Sequence, residues 1–136
     1  MRRSWLPSVL LFLSGSACRG PCQNDLVSTV WSPVGSTKAV AFVRNCGATT
    51  GFSTHVSVLK PSSDLPNQAG NVLVIDDTTN SPGLPDYPPG PVLKVALRWA
   101  GPNQLIVTYS RRARVARAEK SLPSPSVSIS YELTSQ

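Results

Sequence analysis

Val92-Leu93-Lys94-Val95-Ala96-Leu97-Arg98-Trp99, then Gly101-Pro102-Asn103, then Gln104 to Tyr109, is the stretch that decides the fold. Lys94, Ala96 and Arg98 alternate with Leu93, Val95, Leu97 and Trp99, the period of a half-buried strand. Gly101-Pro102-Asn103 is turn chemistry, and the apolar run after it completes a β-hairpin. Working outward, Val127-Ser128-Ile129-Ser130-Tyr131-Glu132-Leu133 alternates in the same way. Arg111 to Lys120 is rich in alanine and arginine and has helix propensity, but an alternating neighbour across the Pro123-Ser124-Pro125 turn favours a strand paired with 127–133.

The amino-terminal half carries the same signals. Leu26 to Trp31 and Lys38 to Arg44 flank the turn Ser32-Pro33-Val34-Gly35. From Ser53 to Lys60, Val56, Val58 and Lys60 fall on one face and His55, Ser57 and Leu59 on the other. Asn71 to Ile75 is a further short apolar run. Residues 76–91 form a loop rich in proline and glycine: five of the sixteen are proline, which cannot donate to a ladder. The expected fold is all-β, an antiparallel β-sandwich or strongly bent meander of about seven to eight short strands after an N-terminal signal helix.

Length and composition agree. The chain has 136 residues, 40% of them hydrophobic, with thirteen prolines and nine glycines. That is one domain's worth of core, cut into short elements.

Residues 1–17 read as a signal peptide. Arg2 and Arg3 form a basic start, Trp5 to Leu13 an apolar run, and Ser14-Gly15-Ser16-Ala17 a small-residue end before Cys18. Nine apolar positions fall well short of the ~20 that span a bilayer. Residues 18–25 are then a tether and 26–136 one β-domain. Ser16-Ala17-Cys18 fits lipid attachment at Cys18, although Gly15 stands where a lipoprotein signal prefers leucine; Gly15-x-Ala17 also suits ordinary cleavage.

There are three cysteines, Cys18, Cys22 and Cys46. In an oxidising compartment, lipid on Cys18 leaves Cys22 to pair with Cys46. An unacylated Cys18 leaves that pairing ambiguous. The rival reading makes Cys46 a nucleophile or metal ligand, beside Arg44 and with the single histidine, His55, as its partner. No CxxC occurs, so neither a metal nor another cofactor is expected.

Phe42-Val43-Arg44-Asn45-Cys46-Gly47-Ala48-Thr49-Thr50-Gly51-Phe52-Ser53-Thr54, after Ser32-Pro33-Val34-Gly35, resembles a family of small exported bacterial proteins. Many members carry lipoprotein-type signals, a Ser-Pro-Asp-Gly-Lys turn and an Arg-x-Cys-Gly-Ala-Thr-Thr-Gly-Phe-Ser-Thr motif. Gly70-Asn71-Val72, Arg98-Trp99 and Ile106-x-x-Tyr109 look like that family too. The likeness covers residues 22–131 and departs at Val34, where aspartate is usual, and in extra residues before Lys38. It implies export, a compact domain and no assigned activity.

Two surfaces are candidate sites. Gly47, Thr49, Thr50, Ser53 and Thr54 make a hydroxyl-rich loop that can expose backbone amides to a small polar ligand or simply satisfy itself. Arg111, Arg112, Arg114, Arg117 and Lys120 make a basic patch suited to anionic headgroups or envelope polymers, or a charged edge strand. On that strand Arg112 and Arg114 share a face and Arg117 takes the other. Removing Arg2 and Arg3 leaves eleven basic against seven acidic residues. Nucleic acid is not an expected partner, since exposed aromatics do not interleave with these charges. Ser53 and His55 share a strand face, but a two-residue step separates them by roughly 7 Å, beyond nucleophile–base contact.

The function expected is therefore a non-catalytic binding or structural module, exported to the periplasmic or outer face of the cell envelope. It is membrane-anchored at Cys18, with an envelope protein or polymer as partner. The alternative is an exported enzyme or thiol-redox factor centred on Cys46 and His55.

Overall fold

A computed structural model describes residues 22–46, 52–77 and 92–135. They form nine strands and no helix: β1 Gln23–Trp31, β2 Lys38–Asn45, β3 Phe52–Leu59, β4 Leu73–Asp76, β5 Val95–Gly101, β6 Gln104–Ser110, β7 Arg114–Ala118, β8 Ser121–Pro123 and β9 Ser126–Thr134. The signal segment, Cys18 and most of the proline-rich loop lie outside the described residues.

Two sheets share the strands, in the orders β1-β2-β3-β4-β7 and β5-β6-β9-β8. The all-β sandwich expected from the strand pattern is the fold. Every pairing is antiparallel except β6 with β9, which run parallel with Leu105 opposite Ile129 and Val107 opposite Tyr131. The second sheet is thus mixed rather than a plain meander.

The core lies between the sheets. Ala39, Ala41, Val56, Val58, Leu73 and Ile75 from the first sheet meet Leu105, Val107, Val127 and Ile129 from the second, all nearly solvent-free. The opening hairpin is present, but its first strand starts at Val95 rather than Val92, and Val92 and Leu93 are both buried ahead of it; within β5, Val95, Leu97 and Trp99 turn to the core while Ala96 and Arg98 are exposed. Tyr109 and Tyr131 pack edge to face with ring centres 5.9 Å apart, a geometry that aromatic quadrupoles favour. Burial, reinforced by Tyr109 and then Glu119, pushes the Tyr131 phenol well above its usual range, so it stays a donor, to the Glu119 carbonyl at 2.5 Å. Trp99 ties the layers together by donating its indole N–H to the Val30 carbonyl at 3.0 Å.

Several expectations are corrected. The 111–120 segment is a strand only over 114–118, and it pairs with β4 rather than with 127–133. Residues 121–123 are the short strand that turns back onto β9, and this takes the hairpin register that the alternation of 127–133 had suggested for 111–120. With Arg112 in the turn before β7, it no longer shares a strand face with Arg114. β1 begins at Gln23, inside the expected tether, because Gln23 pairs with Asn45 and the side chain of Asn24 is anchored at Pro66 and Gln68. Asp76 belongs to β4, so the loop starts after it.

The turn from β1 to β2 behaves as its residues dictate. Gly35 N–H donates to the Ser32 carbonyl at 2.9 Å, and Gly35 takes φ of +67°, a region that glycine enters without steric cost.

Truncating Leu105 to alanine, which empties a core site 1% exposed, should cost about 2–5 kcal/mol in urea denaturation. Leu26→Ala on the exposed face of β1 should stay within about 0.5 kcal/mol of the parent.

Candidate functional site

β2 and β3 are buried on both faces, which a two-layer sandwich alone does not provide. The register places Ala41 opposite Val56 and Ala39 opposite Val58 on the core side, with Phe42 opposite His55, Val40 opposite Ser57 and Arg44 opposite Ser53 on the other. That second face is covered by the connection from β3 to β4, residues 60–72, which lies across it as a strap. The strap explains why His55 and Ser57, expected on a polar face, are 3% and 4% exposed.

Polar side chains fasten the strap, and Val72 at its end is buried in the core. Asn71 pairs with the Val58 backbone in both directions, accepting from its N–H at 2.9 Å and donating to its carbonyl at 3.0 Å. It does for β3 what β4, paired only along Thr54 to Val56, does not reach to do. Arg44 donates to Asn24 and Asn67, and Asn67 donates to the Cys22 carbonyl.

At the centre is His55. Gly70 N–H donates to its Nδ1 at 2.9 Å. A backbone amide can only donate, so Nδ1 is bare and Nε2 carries the ring hydrogen. Nε2–H lies 2.7 Å from Ser53 Oγ and donates to it. The imidazole also stacks on Phe42, ring centres 5.2 Å apart. Burial, then Arg44, then Arg117 lower its pKa to about 4, and the ring is neutral at ordinary pH.

The expected separation of Ser53 and His55 is thereby corrected. Their backbones are two residues apart, yet the long imidazole leans along the strand and closes the gap to hydrogen-bond length. The contact has the wrong polarity for nucleophilic catalysis: His55 donates to the Ser53 oxygen and has no free nitrogen to take its proton. Its other nitrogen is occupied by Gly70.

Gly70 is where sequence reasoning missed a determinant. A Cβ there would lie 2.6 Å from the Val56 carbonyl oxygen and 2.8 Å from that of Leu73, and backbone cannot move aside. Arg117 Nη1 donates to the Gly70 carbonyl at 2.9 Å, so β3 and β7 grip the two peptides that flank one glycine. The sequence marked Gly70-Asn71-Val72 only as part of a family likeness, and a Gly-Asn step before an apolar run also reads as an ordinary turn.

Cys22 and Cys46 form the expected disulfide, 24 residues apart in sequence. The register makes it inevitable geometrically: Gln23 opposite Asn45 puts the next pair outward face to face. Closing that loop contributes roughly 3 kcal/mol on the chain-entropy account.

The remaining candidates disperse. Gly47, Thr49 and Thr50 lie outside the described residues. Ser53 belongs to the strap face, whereas Thr54 points to the opposite side and donates to the Leu93 carbonyl at 2.7 Å. Of the basic residues, Arg114 chelates Asp76 through two hydrogen bonds, the first cause of its raised pKa. Arg117 is committed to Gly70, with Glu119 4.0 Å away. Arg111, Arg112 and Lys120 are exposed, at opposite ends of β7. Among the described residues no group of histidine, cysteine or carboxylate side chains is arranged to hold a metal. Comparison with known proteins returns no match among family models, curated proteins or solved structures.

The unfolded chain takes up a proton on His55 near pH 6.5, and the folded one only near 4. The stability supplied by the neutral ring is therefore complete above pH 6.5 and is lost as pH falls toward 4, by on the order of 3 kcal/mol. Urea denaturation across that window should show the decline in the parent and a shallower one in His55→Gln. Gly70→Ala should lose about 1–3 kcal/mol at neutral pH through the backbone clash.

Proposed function

We propose that this chain is an exported cell-envelope protein, held to a membrane by lipid on Cys18, whose β-sandwich is a non-catalytic binding or structural module. The observation that carries the reading is the Cys22–Cys46 bridge. Disulfides persist in exported proteins, and this one uses two of the three cysteines. The cysteine left over follows a basic, apolar and small-residue leader at the position where a lipoprotein is acylated. The resemblance of the Arg44–Thr54 motif to small exported bacterial proteins points the same way.

The chemistry of the strap supports a binding or structural role over a catalytic one. Cys46 is engaged in the bridge, and both nitrogens of His55 are engaged in holding backbone and Ser53. The partner is an envelope protein or anionic polymer at the periplasmic or outer face. Arg111, Arg112 and Lys120 offer it solvent-exposed positive charge, while Arg114 and Arg117 serve the fold.

Intact mass of the protein extracted from envelope membranes tests the anchor. The expected species begins at Cys18 and carries a diacylglyceryl group and an amide-linked acyl chain. An unmodified chain starting at Cys18 would overturn anchoring. Alkylation of native protein before and after reduction tests the module: Cys22 and Cys46 should label only after reduction, and a Cys46 that labels without it would sink the non-catalytic reading.

A further inference from the structure

Four of the five large apolar residues that the first sheet exposes gather on one hairpin; the fifth, Val115, stands alone on β7. Trp31 is 53% exposed, Val34 67%, and Leu26 and Val27 about half, all on β1 or the turn that follows it. Lone exposed apolar side chains need no explanation, but four within nine residues do. The ladder does not explain them. β1 is an edge strand whose pairing slips between Leu26 and Ser28, and Trp99 already occupies the Val30 carbonyl, so further strand addition along β1 is obstructed.

The charges along this hairpin past Asp25 are of one sign. From Leu26 to Arg44 the chain has no aspartate or glutamate, and its charged residues are Lys38 and Arg44. Lys38 holds its ammonium 5.4 Å from the centre of the Trp31 ring, beside the turn. The register sets Lys38 opposite Leu59, so exposed Lys60 follows at the same end of the sheet. Asp25 lies at the other end of β1, by the disulfide, and Asp64 lies on the strap. A tip of tryptophan, proline and valine beside two lysines is the composition of a surface that seats in the headgroup region of an anionic bilayer: the aromatic ring at the interface, the ammonium groups at the phosphates.

The reach of the chain is compatible with that placement. β1 has nine residues and spans about 30 Å from the bridge to the tip. Cys18 precedes Cys22 by four residues, a reach of about 14 Å when extended. A lipid at Cys18 therefore leaves β1 free to lie along the membrane with the tip in contact. We infer that the β1–β2 hairpin tip, through Trp31 and Val34 with Lys38 and Lys60, is a docking surface for an anionic lipid bilayer. The inference rests on the envelope reading for its supply of lipid, but it is tested without the anchor.

The experiment uses the mature chain, residues 18–136 carrying Cys18→Ser, with vesicles of phosphatidylglycerol and phosphatidylcholine in equal parts, and vesicles of phosphatidylcholine alone. Co-sedimentation with the anionic vesicles is expected, with much weaker binding to the neutral ones. Trp31→Ser with Val34→Ser should lower the affinity at least about tenfold while leaving the urea midpoint near that of the parent. Lys38→Gln with Lys60→Gln should flatten the salt dependence. A parent chain that stays in solution with both vesicle types overturns the inference, as does a Trp31/Val34 variant that binds like the parent. A concentration-dependent dimer that the same variant abolishes, without vesicle binding, assigns the surface to a second copy and overturns it too. Because no lipid is attached in these measurements, failure of acylation at Cys18 and failure of the tip give separate results.

Discussion

The donation from Gly70 N–H to His55 Nδ1 is the contact on which the first sheet depends. A sandwich hides one face of each sheet, and between Lys38 and Arg44 at its ends β2 is apolar on both, while β3 is apolar or neutral on both. Without cover, Val40 and Phe42 would meet water. The strap supplies the cover, but it has few apolar side chains with which to adhere, and it depends on directional polar bonds instead. Such bonds contribute modestly when made and cost much more when one partner is left buried and unpaired. The fastening is therefore specific: one imidazole tautomer, one residue without a side chain at position 70, and one asparagine that stands in for a missing stretch of strand. It is also acid-sensitive, since a proton on Nδ1 would face the Gly70 N–H with no acceptor between them.

The same glycine organises the far edge of the sheet. Arg117 reaches from β7 to the Gly70 carbonyl, and Glu119 N–H donates to the Val72 carbonyl at 2.9 Å. With the Arg114–Asp76 pair these contacts seat β7 beside β4. The arginines that make the segment look like a ligand surface thus divide by role. Those on the strand hold the sheet and guard its edge, and those in the flanking turns face solvent. Position relative to β4, which no local pattern encodes, makes the division.

Local pattern was enough for most strands. The alternation of 95–99, the Gly101–Asn103 turn and the β-branched run of 38–44 each specify an element by contacts within a few residues, and each is present, though the first strand was expected three residues earlier. The pattern ran out where pairing is decided at a distance. Alternation in 127–133 announces a strand but not its neighbours; the three residues of β8 take the antiparallel edge, and β6 takes the other in parallel. The strap was equally hidden, because Asn24, Asn67, Gly70 and Asn71 carry turn-forming residue types and become determinants only when β3 lies beneath them. Ser53 and His55 show a subtler limit: backbone spacing gave the separation of their Cα atoms, not the reach of a leaning imidazole. The cysteines are the opposite case: the pairing of Cys22 with Cys46, expected once Cys18 is set aside for lipid, is the one that the register brings together.

These features divide the molecule into surfaces with different duties. The strap side is closed, its donors and acceptors spent on one another, and Ser53 is a receiver of the histidine's hydrogen rather than an activated nucleophile. The core side is closed by the second sheet. Among the described residues the outer face of the second sheet, the turns at the ends of β7 and the hairpin tip remain open, and at the tip apolar side chains stand beside Lys38 and Lys60. An edge strand interrupted by a bulge and capped by Trp99 is a poor template for another strand, so its exposed residues act through side chains rather than backbone. A surface that acts through one tryptophan, one valine and two ammonium groups suits a broad planar partner better than a deep ligand. That inference connects the unspent part of the fold to the membrane anchor proposed at Cys18.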